Sequence, residues 1–308
     1  MREITKVISG TKEYAKADLM KMDPTSLRAL LRERVHHNIE VPLYPTILKW
    51  QGNPIAGFGQ QAQIVFDVWK DRGFAQEAPD IQWAKEYLSI ADRIRAGKKV
   101  ELFEPLPKPF ADEEMAVVEK LIYGRRSIRD WTGKPVPEWM ITKILEAGRA
   151  APVGCNLDEV RFVVIRDPSE AKMVWSDIST KNAVIIVVCY DTRTAKAVGQ
   201  DKIVPQNPGF DAAAAADHML LMAHALGLGA VWLSKTAKTE VTEDTGQRFR
   251  QQYGLPDYIE VALHIAVGWP AIGTIKSKRM PLADMMLQRE EASDERRDDG
   301  KIKEFDYR

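Results

Sequence analysis

Eight consecutive residues, Ala183-Val184-Ile185-Ile186-Val187-Val188-Cys189-Tyr190, carry no charge and are mostly β-branched. A run this short cannot span a bilayer, and β-branched side chains suit a pleated backbone, so it predicts a buried strand. Val160 to Ile165 is a second β-branched run. Val261, Leu263, Ile265 and Val267 alternate with Ala262, His264 and Ala266, which predicts a strand with one large-residue face. His264 then reads as a satisfied core residue.

Helical patterns alternate with these strands. Asp112 can cap a helix with Glu113 and Glu114 in its first turn, an inner face of Val117, Val118, Leu121 and Ile122, and an end at Gly124. Pro137 opens another, with Met140, Ile141, Ile144 and Leu145 on one side, reaching Arg149 before the break at Pro152. Asp211 to Leu226 is an Ala-rich helix closed by Gly227, whose small side chains admit a close neighbour. Such mixing predicts an α/β or α+β core.

Upstream, Phe103-Glu104-Pro105-Leu106-Pro107-Lys108-Pro109 cannot continue a helix and reads as a connector. The expected organisation is therefore a helical N-terminal extension over 1–110, a main domain over 111–290 and a charged tail over 291–308. In the extension, Asp23-Pro24 starts a helix carrying Leu27, Leu30, Leu31 and Val35. Further helices are expected from Phe58 to Lys70 and from Pro79 through Trp83, Tyr87 and Ile94 to Gly97. Its tryptophans leave two readings open: a packing arm with buried aromatics, or a lid over a site.

Several function classes lose support. Lys plus Arg and Asp plus Glu both number 44, so no net field draws the chain to nucleic acid or to an anionic membrane. The N-terminus lacks the apolar segment of a secretory signal, which predicts a cytoplasmic protein. Two cysteines, Cys155 in a loop and Cys189 at a strand end, support neither a disulfide framework nor a zinc site, and His218 and His224 lack metal spacing, so no metal is expected. There is no Gly-x-Ser-x-Gly elbow and no phosphate-cradling Gly-Lys loop. Gly227-Leu228-Gly229 closes a helix instead of opening one, which excludes a Rossmann fingerprint.

The residues with chemistry to offer lie in four places. Arg125, Arg126, Ser127 and Arg129 form a basic segment whose guanidiniums suit phosphate oxygens, a carboxylate partner or a solvated face. Asn156, at the end of the compact loop Ala150-Ala151-Pro152-Val153-Gly154-Cys155-Asn156, offers a donor and an acceptor to a heterocycle edge or to its own loop backbone. The stretch from Leu226 to Lys235 is a second approach loop. Lys276, Lys278 and Arg279 precede Pro281 and could reach the same anion or keep the surface soluble.

Taken in order, RRSIRDW from Arg125, AGRAAPVGCN from Ala147, ALGLGAVWLS from Ala225 and SKRMPLADMM from Ser277 resemble the FMN-dependent nitroreductase family, from about Asp112 to Met286. The resemblance implies an α+β three-layer sandwich with a mixed, mostly antiparallel sheet, built as an intertwined homodimer with FMN at the subunit interface. It implies that Arg125, Ser127 and Arg129, with Arg126 as helper, hold the FMN phosphate or ring edge, and that Asn156 meets the ring. Lys278 and Arg279 would close on the phosphate, and the backbone at Leu233 and Ser234 would face flavin N5. The implied activity is hydride transfer from NADH or NADPH and ping-pong reduction of a small aromatic acceptor: a nitroaromatic, a quinone, or a halogenated or nitrated phenol. A flavin-binding protein without turnover and a flavin-consuming enzyme are the alternatives. After Asn156, where relatives read like Ser-Gln-Pro-Trp, this chain has Leu157-Asp158-Glu159-Val160; the two acids are either an exposed turn or a substrate contact.

Overall fold

The computed structural model describes residues 6–100, 106–167, 183–234, 250–251, 253–275 and 277–287, which fall into two units, 1–274 and 275–308. In the first, Lys6–Ser9 (β1) and Lys12–Ala15 (β2) form an antiparallel hairpin. Gly10 in its turn has φ +51, and a Cβ there would stand 2.4 Å from the Val198 carbonyl oxygen, so the hairpin tip is pressed against distant chain.

Pro24–Val35 (α1) starts as the sequence predicts. The Asp23 carboxylate accepts the Thr25 and Ser26 N–H groups, each at 3.1 Å, and Pro24 occupies a position where a missing N–H costs nothing. A single π turn, His36–Glu40, leads into Val41–Lys49 (α2). Gln60–Asp71 (α3) and Pro79–Arg95 (α4) follow, close to the expected spans. Leu27, Leu30, Leu31 and Val35 pack with Val65, Trp69 and Ile81, and equally with Leu157, Ala195 and Val198 from beyond the connector. The N-terminal helices and the downstream chain thus share one core, with Trp69 buried inside it.

Val160–Ile165 (β3), Val184–Asp191 (β4), Gly229–Ser234 (β5) and Ile259–Gly268 (β6) form an antiparallel sheet in the order β3-β4-β6-β5. The apolar run becomes β4, an inner strand. Ile186 and Val188 face Glu138–Arg149 (α6) and Asn207–Ala225 (α8), meeting Ile141, Ile144, Ala216 and Met219. Ile185, Val187 and Cys189 face the other way, towards Ile128, Trp131, Val231 and Leu233. Burial on both faces is what makes the run continuous instead of alternating. His264 is buried within β6 and its Nε2 lies 3.2 Å from the Tyr253 hydroxyl, as expected of a satisfied core residue.

Asp112–Gly124 (α5) forms with the predicted end, but its cap and its inner face differ from expectation. Ala111 is the capping position, its N–H donating to Glu114 at 2.8 Å, and Asp112 lies inside the first turn. None of the helix's residues is buried: Val117 is 66% exposed and Ile122 53%. The helix packs along α8 with Val118 and Leu121 half-buried, while the rest of the stripe stays open.

The described residues of the second unit include a short helix, Leu282–Met285, preceded by exposed Lys278 and Arg279. Phe103–Pro105, Lys276 and the tail over 291–308 lie outside the described residues. Among the described residues no helix is long and apolar enough to cross a membrane, and no group of three or more His, Cys, Asp or Glu residues could hold a metal ion.

Candidate functional site

Beyond α5 the chain runs onto the free edge of β5. Ser127 makes a parallel bridge with Ala230, the Ile128 N–H donates to the Ala230 carbonyl at 3.2 Å, and the Trp131 indole N–H donates to the Gly229 carbonyl at 2.9 Å. Thr132 N–H then donates to Trp269 and Ala271 N–H to Asp130, at 2.9 and 3.1 Å. This lacing requires a glycine. A Cβ on Gly229 would lie 2.7 Å from Ile128 Cβ, well inside contact distance. Two of the four sequence motifs, RRSIRDW and the Gly229–Ser234 strand, are thereby placed side by side.

Within that segment the arginines part company. Arg126 Nη1 donates to the carbonyls of Tyr123, Gly124 and Arg125 at 2.7–2.8 Å, so it satisfies the open C-terminus of α5. It also lines, with Ile128, His224 and Gly229, a cavity of about 570 Å³. Arg125 and Ser127 are half-buried, Arg129 is exposed, and among the described residues neither Arg125 nor Arg129 pairs with a carboxylate. Two guanidiniums with open donors and a hydroxyl between them form a donor set that fits a phosphate. The Leu233 side chain is buried in the core, so only its backbone could meet a ligand.

Asn156 lies at the opposite edge. Gly154–Asn156 forms one 3₁₀ turn before β3, with Cys155, Asn156 and Asp158 at φ 51, 56 and 52. Such a turn must be held from outside. Arg32 of α1 does much of this: Nε donates to the Asn156 carbonyl at 2.8 Å, and Nη2 to Asn156 Oδ1 at 2.6 Å and to Asp158 Oδ2 at 2.9 Å. Its Nη1 stands 3.5 Å from Asp80, which Arg28 binds through both oxygens. On the other side, the Gly154 N–H donates to Asp211 Oδ2 at 2.9 Å. Cys155 adjoins His37, whose Nδ1 is 2.8 Å from Glu33 Oε1. The Cys155 thiol first, then Glu33, raise His37 to about 9. Burial alone would raise Glu33, but bonds from His37, Arg34 and Ser9 outweigh it and hold that carboxylate below its ordinary value.

The two acids after Asn156 differ: Asp158 is open to solvent at the rim of a cavity, whereas Glu159 is buried and belongs to no exposed turn. Asp158 is half-exposed and paired with Arg32. Glu159 is 1% exposed, with Oε2 accepting the Thr194 hydroxyl at 2.9 Å, because it opens β3 on the side covered by α8 and by Thr192–Ala197 (α7). Burial, and then the charge of Asp211, push Glu159 up to about 8. A cavity of about 610 Å³ adjoins the turn, lined by Arg28, Arg32, Asp158, Arg161, Leu145 and Phe162.

The structure therefore brings Arg125, Ser127, Leu233 and Ser234 to one sheet edge and Asn156 to the other. Three strand spacings separate the edges, about 14 Å at 4.7–4.9 Å each. Lys278 and Arg279 belong to the second unit. Arg32, Asp211 and Thr194 escaped sequence reasoning. Arg28 and Arg32 sit one helical turn apart, the only local signal any of them offers.

The model of the nitroreductase family matches residues 122–203 and 174–269. An Archaeoglobus fulgidus protein named as an NADH dehydrogenase/NAD(P)H nitroreductase is 31% identical over 156 residues, 49% of this chain and 84% of the relative. The chain belongs to the nitroreductase family. A Thermus thermophilus NADH dehydrogenase is 29% identical, covering 54% of this chain and 92% of its own, and a Bacillus subtilis FMN reductase [NAD(P)H] is 26% identical over 54% and 71%. Among solved structures, a Desulfovibrio desulfuricans nitroreductase in complex with FMN is 33% identical, with a TM-score of 0.46 over 57% of this chain and 98% of that one. The segment that the family model matches starts near the end of α5.

Proposed function

We propose that this chain is an FMN-dependent oxidoreductase that takes hydride from NADH or NADPH and reduces a small aromatic acceptor, such as a nitroaromatic, a quinone, or a halogenated or nitrated phenol. The observation that carries the reading is the lacing of residues 127–132 onto β5, which puts the segment holding Arg125 and Arg129, neither paired with a carboxylate among the described residues, on the free edge of the strand that ends in Leu233 and Ser234. Arg125, Ser127 and Arg129 hold the phosphate; the backbone N–H groups at the end of β5 face the ring near N5. Bound FMN supplies the chemistry itself, accepting hydride and passing electrons on. Donor and acceptor use the same face in turn, a ping-pong order.

The active unit is a homodimer. Asn156 stands across the sheet from Arg125, and Val117 and Ile122 of α5 stay exposed; a second copy answers both by covering these side chains and bringing its Asn156 turn to this chain's Arg125 edge. Lys278 and Arg279 are retained as phosphate-binding residues of the family pattern, and the protein works in the cytoplasm.

Titration with FMN tests the reading. Each charge-assisted bond is worth about 1.5–3 kcal/mol, so Arg125→Ala weakens FMN binding roughly ten- to a hundredfold. A yellow holoprotein that bleaches with NADH or NADPH supports the oxidoreductase. Unchanged FMN affinity in the variant, or a wild type that takes up no FMN, overturns the assignment.

A further inference from the structure

Glu159 Oε1 is buried and finds no hydrogen-bond donor among the described residues, although the other oxygen of the same carboxyl is satisfied by Thr194. Buried polar atoms left unpaired are rare enough to require an explanation. The group that meets Glu159 here is the Asp211 carboxyl, itself buried. Two carboxylates have only acceptors to offer one another. A proton between them turns the contact into a hydrogen bond.

We infer that Glu159 is a neutral carboxylic acid at neutral pH that donates its proton to Asp211, and that this pair positions the Gly154–Asn156 turn. Asp211 is the link: one oxygen accepts the Gly154 N–H at 2.9 Å, which anchors the turn whose next residues sit at φ 51 and 56. The surroundings favour the neutral form. Burial and the Asp211 charge raise Glu159 to about 8, and Asp211 too is raised by burial. Thr194 on α7 contributes only a hydroxyl. The facing cation is Arg161 on β3, which pulls the other way but spends one nitrogen on the Asp158 and Val160 carbonyls and stands 4.0 Å from Asp191. Tyr190 on β4 is raised by its own burial, then by Glu260 and Glu159, so it adds no charge to the pair near neutrality. Glu159 is thus a positioning residue. Its consequence for the cofactor rests on the function proposed above; its protonation does not.

Hydrogen exchange in the full-length protein without FMN, followed across pH 6–9 at the peptide containing Gly154–Asn156 after correction for intrinsic rates, tests the inference. Protection in the wild type is expected to fall at least tenfold as pH rises through about 8, the value to which Glu159 is raised. Glu159→Gln, which keeps a donor for Asp211 and an acceptor for Thr194, is expected to hold protection flat. A wild type without this step, or a Gln variant that loses protection at every pH, overturns the inference. FMN titration on the same samples reads the positioning role: wild-type affinity should weaken along the same step while the Gln variant's stays constant. An affinity that ignores the step overturns that role. Failure of the wild type to bind FMN at any pH instead overturns the proposed function, leaving the exchange result to stand on its own.

Discussion

Replacing Arg32 gives a direct measure of how far the N-terminal helices support the Asn156 turn. Its side chain is 9% exposed and meets two acceptors on Asn156, the Asp158 carboxylate and, at 3.5 Å, Asp80. Breaking a buried ion pair by removing one partner typically costs about 3–5 kcal/mol. Two features reduce the cost here. Asp80 retains both bonds from Arg28, and Asp158 is 51% exposed, so water can replace what the guanidinium gave it. The cost that remains is the Asn156 carbonyl and amide, together with the packing of the guanidinium 5.8 Å from the Trp83 ring centroid. Arg32→Ala should therefore destabilise the apoprotein by about 2–3 kcal/mol, and Arg32→Lys by about 1–2 kcal/mol, because a single ammonium cannot reach the same forked set of acceptors. Urea unfolding of both variants at one pH, beside wild type, gives the numbers. A double-mutant cycle with Asp158→Asn separates the ion pair from the bonds to Asn156. A loss below about 0.5 kcal/mol for Arg32→Ala, within the range of ordinary surface changes, would refute the claim that this arginine ties the two parts of the molecule together.

Two further tests address the other edge and the π turn. Gly229→Ala places a methyl group 2.7 Å from Ile128 Cβ, a branched carbon with little freedom to yield, so it should cost about 1–3 kcal/mol and weaken FMN retention by displacing residues 127–131; normal stability together with normal FMN affinity would show that the lacing is slack. His37 is raised to about 9 by Cys155 and Glu33, so the stability it lends is fully present below its ordinary value of 6.5 and is lost as pH rises through about 9. Because the ring is partly exposed, solvent screening limits that contribution to about 1 kcal/mol. The wild-type excess in urea midpoint over His37→Gln should vanish above that range, and an excess constant with pH would contradict the assignment.

What could be read from the sequence divides along a physical line. β4, α1, α6 and the end of α5 were legible because their signals are local: continuous apolar residues, an Asp-Pro cap, a 3.6-residue period, a closing glycine. The same local rule misled on α5, where the period announces an apolar face but cannot say which chain covers it. Arg125 and Ser127 could be singled out as candidate anion donors from residue type alone. Their neighbour across the edge could not, since Ser127 and Ala230 meet only after β5 has joined β6.

Glu159 marks where local reading fails altogether. In sequence it follows Asp158 in a polar turn, and its chemistry as a free side chain is that of an exposed anion. Its actual state depends on Thr194 and Asp211, which come from two other elements and belong to no common motif. The N-terminal helices pose the same problem in reverse: Arg32 has no neighbour in sequence that predicts Asn156, yet it occupies the amide oxygen that a ring-binding role for Asn156 would otherwise leave open. That bond restricts the proposal. With one lone pair of Oδ1 taken by Arg32, the amide nitrogen is the side-chain group of Asn156 with both donors open, so in the proposed site a ring carbonyl oxygen suits it better than a ring N–H.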